Sequence, residues 1–189
     1  MSAFEFFFSF YGLILGLSVV EVITGLVRVL KQRRRVRIGW LTPLLALFVL
    51  LDIASFWIGA WSTMQDVKVS YGLIFVGLVI AGIYYAAASL VTPDDLGEWP
   101  DFDDFYERHK RWVLGGVVIA NFLAFEFVRM ISDGGLAAWA ARFAVPSVWI
   151  SVLFNYVLII LLMFVRNRRA NIVFLAFGVG MYLVTAIVF

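Results

Sequence analysis

Long apolar runs alternate with short charged segments along this chain of 189 residues. About six of the runs reach the roughly 20 residues that an α-helix needs to cross the hydrocarbon of a bilayer. The runs are continuous, whereas the strands of a membrane barrel alternate apolar and polar positions. The pattern therefore predicts an all-α, polytopic integral membrane protein that forms one transmembrane domain over residues 1–189. The predicted spans lie near residues 6–30, 41–61, 71–91, 112–131, 146–165 and 172–189.

Basic residues are concentrated in every second connection between the runs. Those connections are residues 31–37, 108–111 and 166–169. The other basic residues are Arg28 at the end of the first run, Lys68, Arg129 and Arg142. The positive-inside rule then predicts a multi-pass protein of the inner membrane with both termini outside and the three basic connections in the cytoplasm.

The cytoplasmic connections also suggest partners. Anionic lipid headgroups are attracted to basic residues at the membrane surface, so we expect them near Arg33, Arg34 and Arg35. The charged loops could also dock a membrane partner or a second copy of the chain. Nucleic acid is not an expected partner, because it needs a larger basic surface with interleaved aromatic residues.

The composition narrows the chemistry further. Hydrophobic residues make up 63% of the chain and charged residues only 15%, against about 45–50% and 25% in soluble domains. There is no cysteine and only one histidine, which excludes disulfides, thiolate nucleophiles and histidine-cluster metal sites. No nucleotide-binding glycine loop, HExxH or GxSxG motif is present. We therefore expect neither a cofactor nor an enzyme.

The loop at residues 92–111 is rich in acidic residues, with aromatic residues at helical spacing between them. This pattern predicts an amphipathic helix at the cytoplasmic interface, and Thr92 has the sequence context of its N-cap. Clustered carboxylates can also bind a divalent cation. The weak candidates for such a metal site are Asp101, Asp103, Asp104 and Glu107.

Several polar residues interrupt the apolar runs. Asp52 falls at the middle of the second run, where a charge costs on the order of 3 kcal/mol, and Ser55 follows it on the same helical face. Ser151 and Asn155 form a similar stripe, together with Ser147, in the fifth run. Glu21 lies deep in the first. These residues are the candidate polar site at mid-membrane.

Secondary polar positions lie in the fourth run at Asn121, Glu126 and Arg129. Glu126 and Arg129 are three positions apart near the outer end of this run, and this spacing predicts a local ion pair. In the first run, Gly12 and Gly16 form a GxxxG pattern that allows helices to approach closely. Residues 136–144 predict a short interfacial helix on the outer face before the fifth span.

The two halves of the chain share a spacing. Proline and a polar residue nine positions later recur in the middle run of each half, and a Gly-x-Tyr triplet recurs in the last. In the order of the chain, the matched residues are Pro43, Asp52 and Tyr84, then Pro146, Asn155 and Tyr182. Three spans per half would insert in opposite orientations, so the spacing predicts a 3+3 inverted repeat with its site at the bilayer midplane.

Three functions fit these patterns. The leading hypothesis is a small membrane channel or transporter for protons, cations or a small solute, with Asp52 as the attracting or titrating group. The alternative is a non-catalytic membrane subunit or scaffold that docks a partner through its charged loops. A less favoured hypothesis is an interfacial lipid-modifying enzyme that uses the acidic residues of the 92–111 loop.

Overall fold

The computed structural model describes residues 3–31, 36–64, 70–95, 98–99, 101–128, 130, 135–152 and 156–188. Within these ranges every regular element is helical, and the only strand-like feature is an isolated bridge between Arg37 and Asp101. The all-α prediction is confirmed.

The helices follow the apolar runs. They are α1 (Ala3–Lys31), α2 (Leu41–Met64), α3 (Tyr71–Ser89), α4 (Phe102–Asn121), α5 (Leu136–Ala141), α6 (Pro146–Val152), α7 (Leu158–Phe164) and α8 (Arg168–Val188). A π-helical turn, Phe122–Phe127, continues α4, and a 3-10 turn, Arg142–Ala144, follows α5. The predicted short helix before Pro146 is therefore present.

Four of the helices described by the structure are long and apolar enough to cross a membrane. The qualifying segments are Glu5–Lys31, Leu41–Ser62, Tyr71–Ser89 and Arg168–Ile187. Large apolar side chains cover their outer faces; Leu13 is 68% exposed and Ile58 69% exposed. Lipid removes the cost of exposing such faces to water. The chain is consistent with a multi-pass membrane protein.

The fourth and fifth predicted spans are less regular. The first half of α4 carries charged residues, and its apolar half continues through the π-helical turn. The fifth predicted span comprises α6 and α7, and residues 153–155 between them lie outside the described part of the chain. A count of six spans therefore stays a prediction.

The helix in the acidic loop begins later than expected. Thr92 and its neighbours form bends, and α4 instead begins after Asp101, whose side chain accepts a hydrogen bond of 2.9 Å from the Asp103 N–H. Asp103 and Asp104 in the first turn favour this start, since carboxylates stabilise the positive end of a helix. The amphipathic segment is therefore continuous with the fourth apolar run and is not a separate helix.

At the centre of the bundle lies α2, which packs against α1, α4 and α8. The helix α3 packs mainly against α1 and α4. The interior is almost entirely apolar, with Phe48, Phe56 and Leu114 among its fully buried side chains. Any polar group on the inner face of α2 must therefore find its hydrogen-bond partners on neighbouring helices.

Candidate functional site

The carboxylate of Asp52 is buried at the middle of α2, with the residue only 3% exposed. Its Oδ2 accepts a hydrogen bond of 2.8 Å from the Tyr84 hydroxyl on α3. Its Oδ1 accepts one of 2.8 Å from the Tyr182 hydroxyl on α8. The Asn121 side-chain amide on α4 lies 3.2 and 3.3 Å from the two oxygens. Four helices thus meet at one carboxylate.

The packing of the surrounding rings holds these donors in place. The ring of Tyr84 stands edge-on to Phe56 at 5.1 Å, and that of Tyr182 stands edge-on to Phe48 at 5.6 Å. The Asn121 amide also donates to the Val117 carbonyl, at 3.1 Å, on its own helix. Because each donor is fixed by a second contact, the site is organised before anything binds to it.

The donor set suits both protonation states of Asp52. An ionised carboxylate only accepts hydrogen bonds, and here it accepts them at both oxygens. A tyrosine hydroxyl can donate or accept, so Tyr84 or Tyr182 can reverse its bond when the carboxyl group carries a proton. Either oxygen of a protonated Asp52 thus has a hydroxyl group within hydrogen-bond distance that can accept a hydrogen bond from it.

A cavity of about 420 Å³ reaches this carboxylate. Its polar lining includes Ser55, Glu126, Arg142 and Ser147 in addition to the Asp52 network, and Phe125 contributes to its apolar wall. At about 30 Å³ for each molecule, the volume would hold roughly a dozen waters. The cavity joins the buried carboxylate to the end of the bundle where the 3-10 turn after α5 and the start of α6 lie.

An ion pair lies in the wall of this cavity, away from Asp52. The Arg142 guanidinium lies 3.3 Å from Glu126 Oε2, and the same oxygen accepts a hydrogen bond of 2.8 Å from the Trp139 indole. The predicted partner of Glu126 was Arg129, which lies outside the described residues.

The predicted site residues divide into two groups. Asp52, Ser55, Asn121 and Glu126 line the same cavity. Glu21 does not; it pairs with Arg28 at 3.4 Å along α1.

The remaining predicted residues are less informative. Ser151 belongs to α6, but its side chain is not described, and Asn155 and Arg129 lie outside the described residues. The same holds for Arg33, Arg34 and Arg35.

The tyrosines are partners of Asp52 that the sequence reasoning missed. Tyr84 and Tyr182 were noted only as matching points of the two halves. A signal was present, because tyrosine in membrane helices is enriched at the interfaces and a buried hydroxyl usually needs a partner. The sequence places Arg142 in the short helix at 136–144 and does not indicate its ion pair with Glu126.

The four acidic residues that were the candidates for a metal site have protein partners. Asp103 accepts a hydrogen bond of 3.1 Å from the Leu41 N–H at the start of α2. Asp101 and Asp104 both pair with Arg168.

The last of these acids, Glu107, pairs with Lys110 at 2.8 Å. In the part of the chain that the structure describes, no three side chains of the metal-ligating types come together. The acids therefore fasten the start of α4 to α2 and α8.

Burial raises the pKa of Asp103, and the Leu41 N–H partly opposes that rise. This residue lies on the charged side of the bundle, outside the apolar spans. Its proton binding therefore makes a pH-dependent contribution to the stability of this junction.

Comparison with known proteins identifies no relative: no protein-family model, no curated protein and no solved structure matches this chain.

Proposed function

We propose that the chain is a six-span channel or transporter for protons, cations or a small solute, with Asp52 as its central site. One observation carries the proposal: a cavity large enough for water leads to a buried carboxylate that four helices hold in place. Carboxylates inside membrane bundles typically mark ion or proton pathways. The proposed location is the inner membrane, with both termini outside and the basic connections in the cytoplasm.

The network around Asp52 favours a proton or a small cation as the transported species. The carboxylate supplies negative charge, and the two tyrosine hydroxyls can change direction when a proton arrives. Farther along the cavity, the ion pair of Glu126 and Arg142 adds a second pair of charged side chains. These groups would allow a cation to exchange its water shell for protein oxygens in steps.

On the other side of Asp52, packed side chains close the path. Leu45, Phe48 and Val49 on α2 are at most 1% exposed. A Cβ atom added to Gly178 on α8 would lie 2.9 Å from the Phe48 ring, so the two helices already touch there. Access from one side at a time is the arrangement that a transporter or a gated channel requires.

The inverted repeat remains part of the proposal. The matched tyrosines of the two halves, Tyr84 and Tyr182, donate to opposite oxygens of the same carboxylate. This convergence at a midplane site is what the repeat predicts. The matching polar residue of the second half, Asn155, lies outside the described residues.

A lipid-modifying enzyme is the less favoured function, because the acids it would use are engaged with Arg168, Lys110 and the backbone of α2.

Ion flux in proteoliposomes tests the proposal. The wild-type protein is compared with Asp52→Asn and with Glu21→Gln, which removes another carboxylate of the apolar helices but does not line the cavity. We expect proton or cation flux in the wild type and in Glu21→Gln, and none in Asp52→Asn. Undiminished flux in Asp52→Asn would contradict the site, and no flux in any protein would favour the alternative of a partner-dependent subunit.

Topology has a separate test, because the chain contains no cysteine. Single substitutions Ser2→Cys and Arg34→Cys should react with a membrane-impermeant maleimide from opposite sides. Labelling from the same side would contradict the six-span arrangement.

A further inference from the structure

A second cavity lies on the charged side of the bundle, between the first half of α4 and the turn that joins α7 to α8. Its volume is about 390 Å³. The residues that line it are mostly basic: Arg108, Lys110, Arg111 and Arg166, with Glu107, Met163 and Phe164. This cavity is separate from the Asp52 site and has no part in the proposed function.

The charges of the second cavity do not cancel. Lys110 is only 2% exposed and is neutralised by Glu107 at 2.8 Å. Among the described residues, no carboxylate pairs with Arg108, Arg111 or Arg166. Three guanidinium groups therefore leave the cavity with excess positive charge.

Two of these arginines are already held in position. The Arg111 Nε donates to the Met163 carbonyl at 3.1 Å, and its guanidinium lies 5.4 Å from the centre of the Phe164 ring. The Arg108 guanidinium lies 5.2 Å from the centre of the Trp99 ring. Arginines with fixed planes lose less entropy when they bind a phosphate through two hydrogen bonds at once.

Apolar surface adjoins the basic residues. Phe164 is 61% exposed and lies in the cavity wall, and Trp112, next to Arg111, is 72% exposed. Both residues lie where an apolar helix meets the charged connections. A ligand with an anionic group and a hydrocarbon chain on the same molecule would match both features.

We propose that this cavity binds the phosphate headgroup of an anionic phospholipid, whose acyl chains lie along Phe164. Basic pockets between membrane helices on the cytoplasmic side bind such headgroups. The phosphate would contact Arg108, Arg111 and Arg166, and the lipid would hold α4 against the turn between α7 and α8.

Binding of fluorescent phosphatidylglycerol to the full-length protein in an uncharged detergent tests this proposal, with equally labelled phosphatidylcholine as the reference lipid. We expect the wild type to prefer phosphatidylglycerol by more than tenfold, and the triple variant Arg108→Gln, Arg111→Gln, Arg166→Gln to lose the preference. Arg169→Gln removes a basic residue of the same connection that does not line the cavity, so it should keep the preference.

The single variant Arg166→Gln provides a second test if the triple variant does not fold. Removing one basic residue should weaken phosphatidylglycerol binding by about fivefold. Equal loss in Arg169→Gln, or an unchanged preference in Arg166→Gln, would overturn the site. Displacement of the lipid by inorganic phosphate at equal concentration would show that the cavity binds free phosphate and would overturn its assignment to a lipid.

Discussion

Removing one tyrosine hydroxyl from the Asp52 network should show how strongly the carboxylate depends on it. In Tyr84→Phe, the ring and its contact with Phe56 remain, and only the hydrogen bond of 2.8 Å to Asp52 is lost. Hydrogen bonds to charged groups contribute about 1.5–3 kcal/mol. We therefore expect Tyr84→Phe to lower the free energy of unfolding by this amount.

The same change in an Asp52→Asn background should cost much less. With a neutral partner, an interhelical hydrogen bond in a membrane protein contributes about 0.6 kcal/mol on average. The double-mutant cycle of Tyr84→Phe and Asp52→Asn should therefore give a coupling energy of about 1–2 kcal/mol. Tyr182→Phe should behave alike, because its hydroxyl lies equally close to the other oxygen.

Unfolding in detergent micelles, followed by tryptophan fluorescence, measures both quantities. Tyr85→Phe is the matched control, since Tyr85 lies next to Tyr84 on the same helix and is 44% exposed. It should change stability by less than about 0.5 kcal/mol. A coupling energy near zero would refute the reasoning, because the carboxylate would then be no better a partner than a neutral amide.

Two further predictions concern packing and pH. Gly12→Ala should destabilise the protein by about 1–3 kcal/mol through overpacking, because its Cβ would lie 2.0 Å from the Trp57 ring. The control is Gly16→Ala, whose Cβ meets no atom within 4 Å and which should be neutral or slightly stabilising. Equal effects of the two variants in thermal unfolding would contradict the contact between Gly12 and Trp57. The raised pKa of Asp103 means that its carboxyl group binds a proton more tightly in the folded state than in the unfolded state. The stabilisation from this proton binding is present below about pH 4 and is lost as the pH rises through the pKa of the folded state. Asp103→Asn keeps an acceptor for the Leu41 N–H and should flatten this part of the stability profile between acidic and neutral pH; an unchanged profile would show that other groups produce it.

The helices and the central acid were predictable from the sequence because both depend on local properties. Hydrophobic run length determines where a helix can cross a bilayer, and Asp52 is conspicuous as the one charged residue of α2. Pro146 opens α6 as expected, since proline is favoured in the first turn of a helix. None of these inferences requires knowledge of how the helices rotate against each other.

The partners of Asp52 could not be predicted in the same way. Tyr84, Asn121 and Tyr182 reach it across 32, 69 and 130 positions of sequence. Whether those side chains face α2 depends on helix rotation. In apolar helices the sequence signal for helix rotation is weak, because lipid-facing and protein-facing residues are both hydrophobic.

The turn at Phe122–Phe127 is π-helical, which the sequence did not indicate. The prediction that Glu126 pairs with Arg129 assumed the α-helical period; Arg129 lies outside the described residues, and the described partner of Glu126 is Arg142. Local spacing suggested a helix start at Thr92, whereas the structure has the helix start at a second position, Asp101. Contacts with α2 and α8 favour the second, because they secure the acids that follow Asp101.

The separation of Asp52 from its donors also has a consequence for biosynthesis. Membrane helices emerge from the ribosome in order, so α2 is made before any of its three donors exists. Tyr84 follows within one helical hairpin, but Tyr182 is added only when the last helix is complete. Until Tyr182 has been synthesised, Asp52 Oδ1 lacks its tyrosine donor, so the carboxyl group must be hydrated or protonated. Synthesis of α8 then provides the last of these hydrogen bonds, and a chain truncated before Tyr182 would lack that donor for the buried acid.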